Sequence, residues 1–430
     1  MSKIELFKEK IKNKELIIGV IGLGYVGLPL SVLASQKGYQ VYGFDINKRK
    51  VNMLLNNKNY ISDVDDEVLK EVIKENKFIP TSNFRFLDKV DVIIICVPTP
   101  LNKKGKPDLS CLYKAINEVS KYLKDDIIVI IESTTYPGTT DNYAREIFAK
   151  KGCQIGQNLF LAFSPERIDP SNKEYRLVNT NRVVGGCNYE STEIVSAFYE
   201  GILDAEVKSV SSATVAEMSK ILENTYRFVN IALIFEFVKA CNKLNINIWE
   251  VIDAAKTKPY GFQAFYPGAG VGGHCIPIDP IYLTWDMKKK NVKLPLINTA
   301  NKIVKNVTKD IVKKIKKILK EERSKLYKIL LVGVAYKRDT NDLRESPSLK
   351  IIDYLKSKKY KIDYYDSYID KFIHEDKIYK SIDLEDVSKY DLVVICVDHS
   401  NVDYKYILKN ARKILDLKNV YPNRDDVYGL

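Results

Sequence analysis

Short apolar runs recur along the chain, each ending at glycine, proline or a small polar residue. Leu16–Ile21, Tyr39–Phe44, Val90–Val97, Ile127–Glu132 and Leu159–Phe163 are rich in Val, Ile, Leu and Phe. Apolar runs this short, without alternation, predict parallel strands buried on both faces. From Ser212 to Leu244 the period changes. Ile221, Leu222, Phe228, Ile231, Ala232 and Phe235 recur at helical spacing, and Thr214-Val215-Ala216-Glu217 has the capping-box pattern, so one long helix is expected. A second amphipathic helix is predicted where Ile311, Val312, Ile315, Ile318 and Leu319 alternate with Lys313, Lys314, Lys316, Lys317 and Lys320.

The first strand runs straight into Gly22-Leu23-Gly24-Tyr25-Val26-Gly27, then a helix-like stretch to about Lys37 and a strand ending at Asp45. Strand, G-x-G-x-x-G, helix, strand and acid is the dinucleotide-binding arrangement. The first glycine permits a tight turn, the second lets backbone approach a pyrophosphate at a helix N-terminus, and the acid binds a ribose hydroxyl. Asp45 repels a 2′-phosphate, which favours NAD over NADP; Lys48 and Arg49 just after it suit either a 2′-phosphate or, for Arg49, stacking on the adenine face. Val97-Pro98-Thr99 and Ser133-Thr134-Thr135 follow later strands, at the carboxyl edge where open α/β sheets bind ligands.

The two ends of the chain resemble each other. Lys89-Val90-Asp91 leading to Cys96-Val97 matches Lys389-Tyr390-Asp391 leading to Cys396-Val397, and Tyr39–Asp45 matches Tyr360–Asp366. A strand at Lys328–Val332 enters Gly333-Val334-Ala335-Tyr336-Lys337, which lacks the dinucleotide fingerprint. The expected fold is therefore α/β, with two Rossmann-like parallel-sheet domains joined by a long central helix. The expected boundaries are 1–205 for the NAD-binding domain, 206–305 for a central helical and dimerisation domain, and 306–430 for a second nucleotide-binding domain.

Composition trims the alternatives. The net charge of +13 raises nucleic acid as a partner, but the lysines lie along helix faces, the pattern of a solvated surface. The stretch Leu16–Gln36 has no charged residue and is long enough to raise a membrane span, yet Gly19, Gly22, Gly24, Gly27 and Pro29 divide it into strand, turn and helix. Met1–Glu15 is charged, without an apolar signal core, so a cytoplasmic protein is expected. The seven cysteines show no Cys-x-x-Cys pair, which argues against a disulfide framework and a zinc site; no metal is expected. The long helix is apolar enough to pack on a partner, so a homo-oligomer, in the simplest case a dimer, is expected.

Three polar islands remain. Gly272-Gly273-His274-Cys275-Ile276-Pro277-Ile278-Asp279 places a thiol after two glycines and four residues before a carboxylate. That is either a glycine turn with a buried cysteine or a nucleophile beside a close backbone approach. Lys220, Asn224 and Arg227 fall at i, i+4 and i+7, one face of the long helix; such a stripe either meets solvent or binds an anion or oxyanion. Ser164-Pro165-Glu166-Arg167 ends an apolar run and reads, by itself, as a loop ion pair.

Taken together, Gly22–Gly27, Val97–Thr99, Glu132-Ser133-Thr134, Ser164–Arg167, Glu217–Lys220 with Asn224, Gly272–Asp279, and Tyr336-Lys337 followed by Asp342–Pro347 resemble, in order, the motifs of the UDP-glucose/GDP-mannose dehydrogenases. The resemblance implies a four-electron oxidation of a sugar C6 alcohol with NAD. It matches Cys275 to the thiol that traps the aldehyde, and Lys220 and Asn224 to alcohol deprotonation and the oxyanion. It matches Asp279 and Thr134 to positions around a catalytic water and Glu166 to a base for hydrolysis. Gly22, Gly24, Tyr25, Val26, Gly27, Asp45, Arg49, Val97, Pro98, Thr99, Thr134 and Arg344 are implied at the cofactor. Glu166, Arg167, Ile168, Lys220, Asn224, Arg227, Tyr266, Gly268, Gly272, Tyr336 and Lys337 are implied at the nucleotide sugar. Pro267–Pro280 with Tyr282–Trp285 looks most like enzymes of UDP-N-acetylhexosamines. The uncharged loop Tyr260–Tyr266, without a basic pair at Pro259 and Gly261, ranks UDP-N-acetylglucosamine above the mannosamine and galactosamine epimers and above UDP-glucose. A binding protein that kept the fold and lost the chemistry is the alternative of another class.

Overall fold

The computed structural model describes residues 2–61, 63–168, 172, 174–319, 326–356, 359–422 and 424–430. The chain divides into two compact units, Met1–Glu223 with Ile281–Lys289, and Asn224–Pro280 with Lys290–Leu430. The first unit carries β1 (Ile17–Ile21), β2 (Gln40–Phe44), β3 (Phe78–Thr81), β4 (Val92–Ile95), β5 (Ile127–Ile131), β6 (Leu159–Phe163), β7 (Arg182–Gly186) and β8 (Val207–Val210). They form one sheet in the order β3-β2-β1-β4-β5-β6-β7-β8. All neighbours are parallel except β6 and β7. The centre of the sheet is apolar on both faces, since every residue of β4, β5 and β6 is buried. That follows from strands read as continuous apolar runs.

The second unit repeats the plan on a smaller scale. Its strands are β9 (Tyr327–Val332), β10 (Tyr360–Tyr365), β11 (Lys371–His374), β12 (Lys377–Lys380), β13 (Leu392–Ile395) and β14 (Ile414–Asp416). A parallel sheet runs β10-β9-β13-β14, and β11 and β12 make a separate hairpin. Helix Pro295–Leu319 buries Val307, Ile311, Val312, Ile315, Ile318 and Leu319, the face its periodicity predicts. The charge-free stretch after Glu15 becomes β1, the glycine turn and helix Gly27–Gln36. Among the described residues no helix is long and apolar enough to cross a membrane.

The repeat seen in the sequence has a physical basis at three places. Gly22 and Gly333 both have positive φ, +98° and +84°. A Cβ on either would stand 2.5 Å from a neighbour, the Cys96 carbonyl oxygen or Val397 Cβ. Asp91 accepts the Ile17 amide at 2.9 Å and Asp391 the Lys328 amide at 2.9 Å, so each Lys-x-Asp lead-in ties the start of its sheet's first strand. Asp45 and Asp366 each accept amides of the turn after that first strand.

The long helix spans Ala213–Leu244. The capping box expected at Thr214 and Glu217 does not form. Ser212 Oγ accepts the Val215 amide instead, Thr214 donates through both its amide and its hydroxyl to Asp141, and Glu217 faces inward. Its carboxylate accepts the Gly138 and Thr140 amides and the Thr140 hydroxyl. A tertiary partner that offers three donors outcompetes the helix's own N-terminus for a buried acid.

Candidate active site

The glycine turn at the end of β1 is shaped by packing at two of its glycines and by open space at the third. Gly22 donates to Phe44 O at 2.7 Å in a backbone form that disfavours a side chain. A Cβ on Gly27 would lie 2.0 Å from Gly22 O, whereas one on Gly24 meets nothing within 4 Å. Helix Gly27–Gln36 follows with no side-chain cap at Val26; the Leu28 amide donates to Gly24 O at 3.1 Å and Pro29 has no N–H, so the helix start open to a ligand is the Val26–Gly27 peptide edge. Asp45 closes β2, accepts the Leu23 amide at 3.1 Å and has Lys50 at 3.6 Å. These features fit a dinucleotide: an open approach at Gly24, an uncapped helix start and an acid at the end of the second strand. Tyr25 is half-buried beside the turn, and Arg49 is exposed in the first turn of helix Lys48–Leu55.

The ends of β4 and β5 are tied together, because the Val97 amide donates to Ser133 Oγ at 2.9 Å. Pro98 is exposed, Thr134 half-buried, and buried Thr99 accepts from Tyr282 Oη through its carbonyl at 2.9 Å.

After β6 the chain enters a polar knot. Glu166 Oε1 accepts the Arg167 and Ile168 amides, both at 2.6 Å, and Oε2 accepts from Arg182 Nη1 at 2.8 Å. Arg182, the first residue of β7, is buried; it also pairs with Glu132 and donates through Nε to Ser164 Oγ at 2.9 Å. Tyr199 donates to Glu132 as well, and Arg182 lies over the Tyr199 ring at 4.6 Å. Burial pushes the Glu132 carboxyl up, with the Arg182 charge working against it; the guanidinium is held well above its ordinary value by the two carboxylates despite burial. The buried ammonium of Lys220 donates to the Glu166 carbonyl at 2.9 Å. Arg167 turns away to a two-point pair with Glu223 at 3.2 and 2.8 Å.

In the second unit, the two glycines before Cys275 are packed on Tyr336. A Cβ on Gly272 would stand 2.8 Å from Tyr336 Cβ, and Gly273, with φ +85°, would meet the ring at 2.9 Å. The Gly273 amide donates to Arg344 O at 3.0 Å. The Cys275 carbonyl accepts the Ile278 and Asp279 amides at 3.0 and 2.9 Å, a tight turn that leaves the thiol half-buried at the entry to helix Asp279–Lys289. Buried Asp279 accepts from Asn224 Nδ2 at 2.6 Å. Arg344 pairs with Asp342, which it reaches through Nε at 2.9 Å. Tyr336 and Lys337 are half-buried, Gly268 is buried, and exposed Tyr266 stacks on Trp249 at 5.7 Å. Arg227 is exposed, unlike Lys220 two turns earlier on the same helix.

Sequence reasoning gave no role to Arg182, Tyr199 or Glu223, and gave Glu217 a helix-capping one that the structure does not bear out. The one available signal was a charged residue opening the apolar run Arg182–Gly186.

Three family models match the chain, each of the UDP-glucose/GDP-mannose dehydrogenase family: the NAD binding domain at 16–203, the central domain at 214–306 and the UDP binding domain at 330–423. UDP-N-acetyl-D-mannosamine dehydrogenase of Methanocaldococcus jannaschii is 37% identical over 416 residues, 94% of this chain and 92% of that protein. UDP-N-acetyl-D-glucosamine 6-dehydrogenase of Pseudomonas aeruginosa is 35% identical over 407 residues, covering 93% and 94% of the two chains. Among solved structures, the UDP-D-ManNAc dehydrogenase of Pyrococcus horikoshii superposes with a TM-score of 0.86 at 32% identity, covering 96% of this chain and 99% of that one.

Proposed function

Because the chain belongs to the UDP-glucose/GDP-mannose dehydrogenase family and is an NAD-dependent UDP-sugar dehydrogenase, we propose that it oxidises the C6 alcohol of a UDP-N-acetylhexosamine to the carboxylate through a thioester on Cys275. The observation that carries this reading is the Cys275 turn: glycines packed on Tyr336, a half-buried thiol, and the Asn224–Asp279 pair four residues on. NAD+, when bound, accepts the hydride in each of the two oxidations. Lys220 takes part in deprotonating the alcohol, and Asn224 supports the oxyanion. Cys275 adds to the aldehyde carbon, which retains the half-oxidised sugar; after the second oxidation the thioester carbonyl is attacked by water, a step in which Asp279 and Thr134 take part, releasing carboxylate and thiol. A free thiol requires a reducing compartment, which the cytoplasm supplies.

Among the epimers, the uncharged loop Tyr260–Tyr266 favours N-acetylglucosamine. The second reading is N-acetylmannosamine, favoured by the names of relatives such as the M. jannaschii and P. horikoshii proteins. A homodimer through the long helix completes the proposal. Val215, Met218, Leu222, Tyr226, Leu233 and Phe237 are exposed on it at spacings of three, four and seven, a stripe suited to a second copy of the same helix. A stable monomer in sedimentation at micromolar concentration would remove the dimer.

The deciding experiment follows NADH with UDP-N-acetylglucosamine, UDP-N-acetylmannosamine, UDP-N-acetylgalactosamine and UDP-glucose at equal concentration. Two NADH per sugar consumed is expected for one N-acetylhexosamine. A single NADH with free aldehyde overturns the four-electron reading. Cys275→Ser is expected to bind the UDP-sugar but lose uronate formation.

A further inference from the structure

Leu23, between the first two glycines of the turn after β1, is held at its amide, its side chain and its carbonyl. The amide donates to Asp45 Oδ2 at 3.1 Å. The side chain is fully buried in the core of the first unit, against Gly43, where an added Cβ would stand 2.8 Å from Leu23 Cδ2. The carbonyl accepts from the Tyr60 hydroxyl at 2.7 Å, across 37 residues. The first two restraints belong to the strand, turn and strand pattern. The third does not, because Tyr60 lies between helices Lys48–Leu55 and Asp66–Lys74. Its neighbours are fixed as well: Asn59 accepts the Ile61 amide at 2.9 Å and donates to Val64 O at 2.8 Å, and Ile61 and Val64 are buried. Burial pushes the Tyr60 hydroxyl up, helped by the Asp45 charge, so it remains a proton donor at neutral pH.

The turn has no cis peptide, and in a trans peptide the C=O and the N–H lie on opposite edges of one plane. Holding the Leu23 carbonyl towards Tyr60 therefore turns the Gly24 amide to the other side of the chain. Among the described residues nothing accepts that amide, and an added Cβ on Gly24 would meet nothing within 4 Å. Without the Tyr60 bond this peptide could flip cheaply, since a flip rotates φ of Gly24 and glycine tolerates both signs. The flipped peptide would offer the Leu23 oxygen, an acceptor, where a phosphate needs a donor. We propose that Tyr60 is a positioning residue for the cofactor: its hydroxyl pins the Leu23 carbonyl so that the Leu23–Gly24 peptide presents its N–H, and not its oxygen, to the pyrophosphate of NAD. The inference needs only that NAD binds, and is independent of the sugar oxidised.

The test uses the full-length chain and Tyr60→Phe, which removes the hydroxyl and keeps the ring. Calorimetry measures the binding of NAD, ADP and adenosine. Initial rates separate KM for NAD from kcat, and the Gly24 amide resonance is followed in 15N-glycine protein, assigned by its loss in Gly24→Ala. Losing one hydrogen bond that orients a phosphate donor predicts a rise of about 10-fold in Kd for both NAD and ADP. Adenosine, which has no phosphate, is expected to bind as before. The loss is expected in KM for NAD rather than in kcat, and the Gly24 amide resonance is expected to shift. Unchanged ADP affinity overturns the proposal. So does an equal loss for adenosine and ADP, which would make Tyr60 a support for the nucleoside pocket or for the fold as a whole. An unmoved Gly24 resonance overturns it too. Wild-type protein that binds ADP but forms no NADH with any UDP-sugar would instead overturn the functional reading, and the ADP and adenosine comparison would still decide the role of Tyr60.

Discussion

The turns after β1 and β9 start from the same plan and end in different chemistry. Each begins with a positive-φ glycine, Gly22 or Gly333, and each is held by an aspartate that follows the second strand, Asp45 or Asp366. In the first unit Asp45 accepts a single turn amide, and the turn continues through Gly24, with open space, to a helix with an uncapped N-terminus. In the second, one Asp366 oxygen accepts the Val334 and Ala335 amides at 2.7 and 3.2 Å and faces His399 Nε2 at 3.2 Å. Burial works to raise the Asp366 carboxyl, but the hydrogen bond and charge of His399 and the turn amides outweigh it and hold it below its ordinary value. The same acid thus takes one amide of the turn in one unit, and two amides and a histidine in the other. Topology places a ligand edge, and the few residues after the glycine decide what it can bind.

That comparison can be broken or sharpened by mutation. The largest expected effect is shared. Gly22→Ala and Gly333→Ala each force a side chain into positive φ and against a neighbour at 2.5 Å, and should each cost about 3 kcal/mol or more, read as a fall in Tm. A large fall for only one would break the equivalence of the turns. Next, Asp366→Asn should destabilise by about 2 kcal/mol by weakening a buried charge-assisted pair, without changing KM for NAD.

The units should also differ in pH response. Glu217, in the first, is pushed up to about 7, chiefly by burial, against the hydrogen bonds of Thr140 and Gly138. A raised carboxyl stabilises fully below its ordinary value near 4.5 and loses that contribution as pH rises towards 7, by up to about 3 kcal/mol. Asp366, held low, contributes above its ordinary value of 3.8 and loses that contribution as pH falls below it. Denaturant titrations from pH 3 to 8 should show Glu217→Gln flattening the upper slope and His399→Ala the lower one. The opposite assignment would refute both. A smaller effect is expected at Asp45. Asp45→Asn should raise KM for NAD about tenfold, ~1.4 kcal/mol, and narrow the preference over NADP. Smallest in stability is Gly24→Ala, within about 0.5 kcal/mol of wild type because its Cβ has room, yet NAD affinity should fall, as the methyl enters the pyrophosphate's approach.

Much of this was legible in the chain. The apolar runs gave the strands to within a few residues, and the glycine spacing gave the turn that Asp45 holds. The Lys-x-Asp lead-ins gave the repeat, because Asp91 and Asp391 cap neighbouring strands in both sheets. Such features are local: a φ requirement, a period or an acid at the end of a strand acts within a few residues of itself. The long helix was legible for the same reason, but its cap was not, since Thr214 and Glu217 take partners 73 to 79 residues away.

The sequence by itself determined the fold plan, the glycine turn after the first strand and a cysteine set between glycines and an acid. The tertiary structure alone decided which charges are sequestered together. Arg182 meets Glu166 across 16 residues and Glu132 across 50, and Lys220 meets the Glu166 carbonyl across 54. The physical reason is desolvation: a buried charge is tolerated only where the fold delivers its partners, and no local pattern records which distant residues those are.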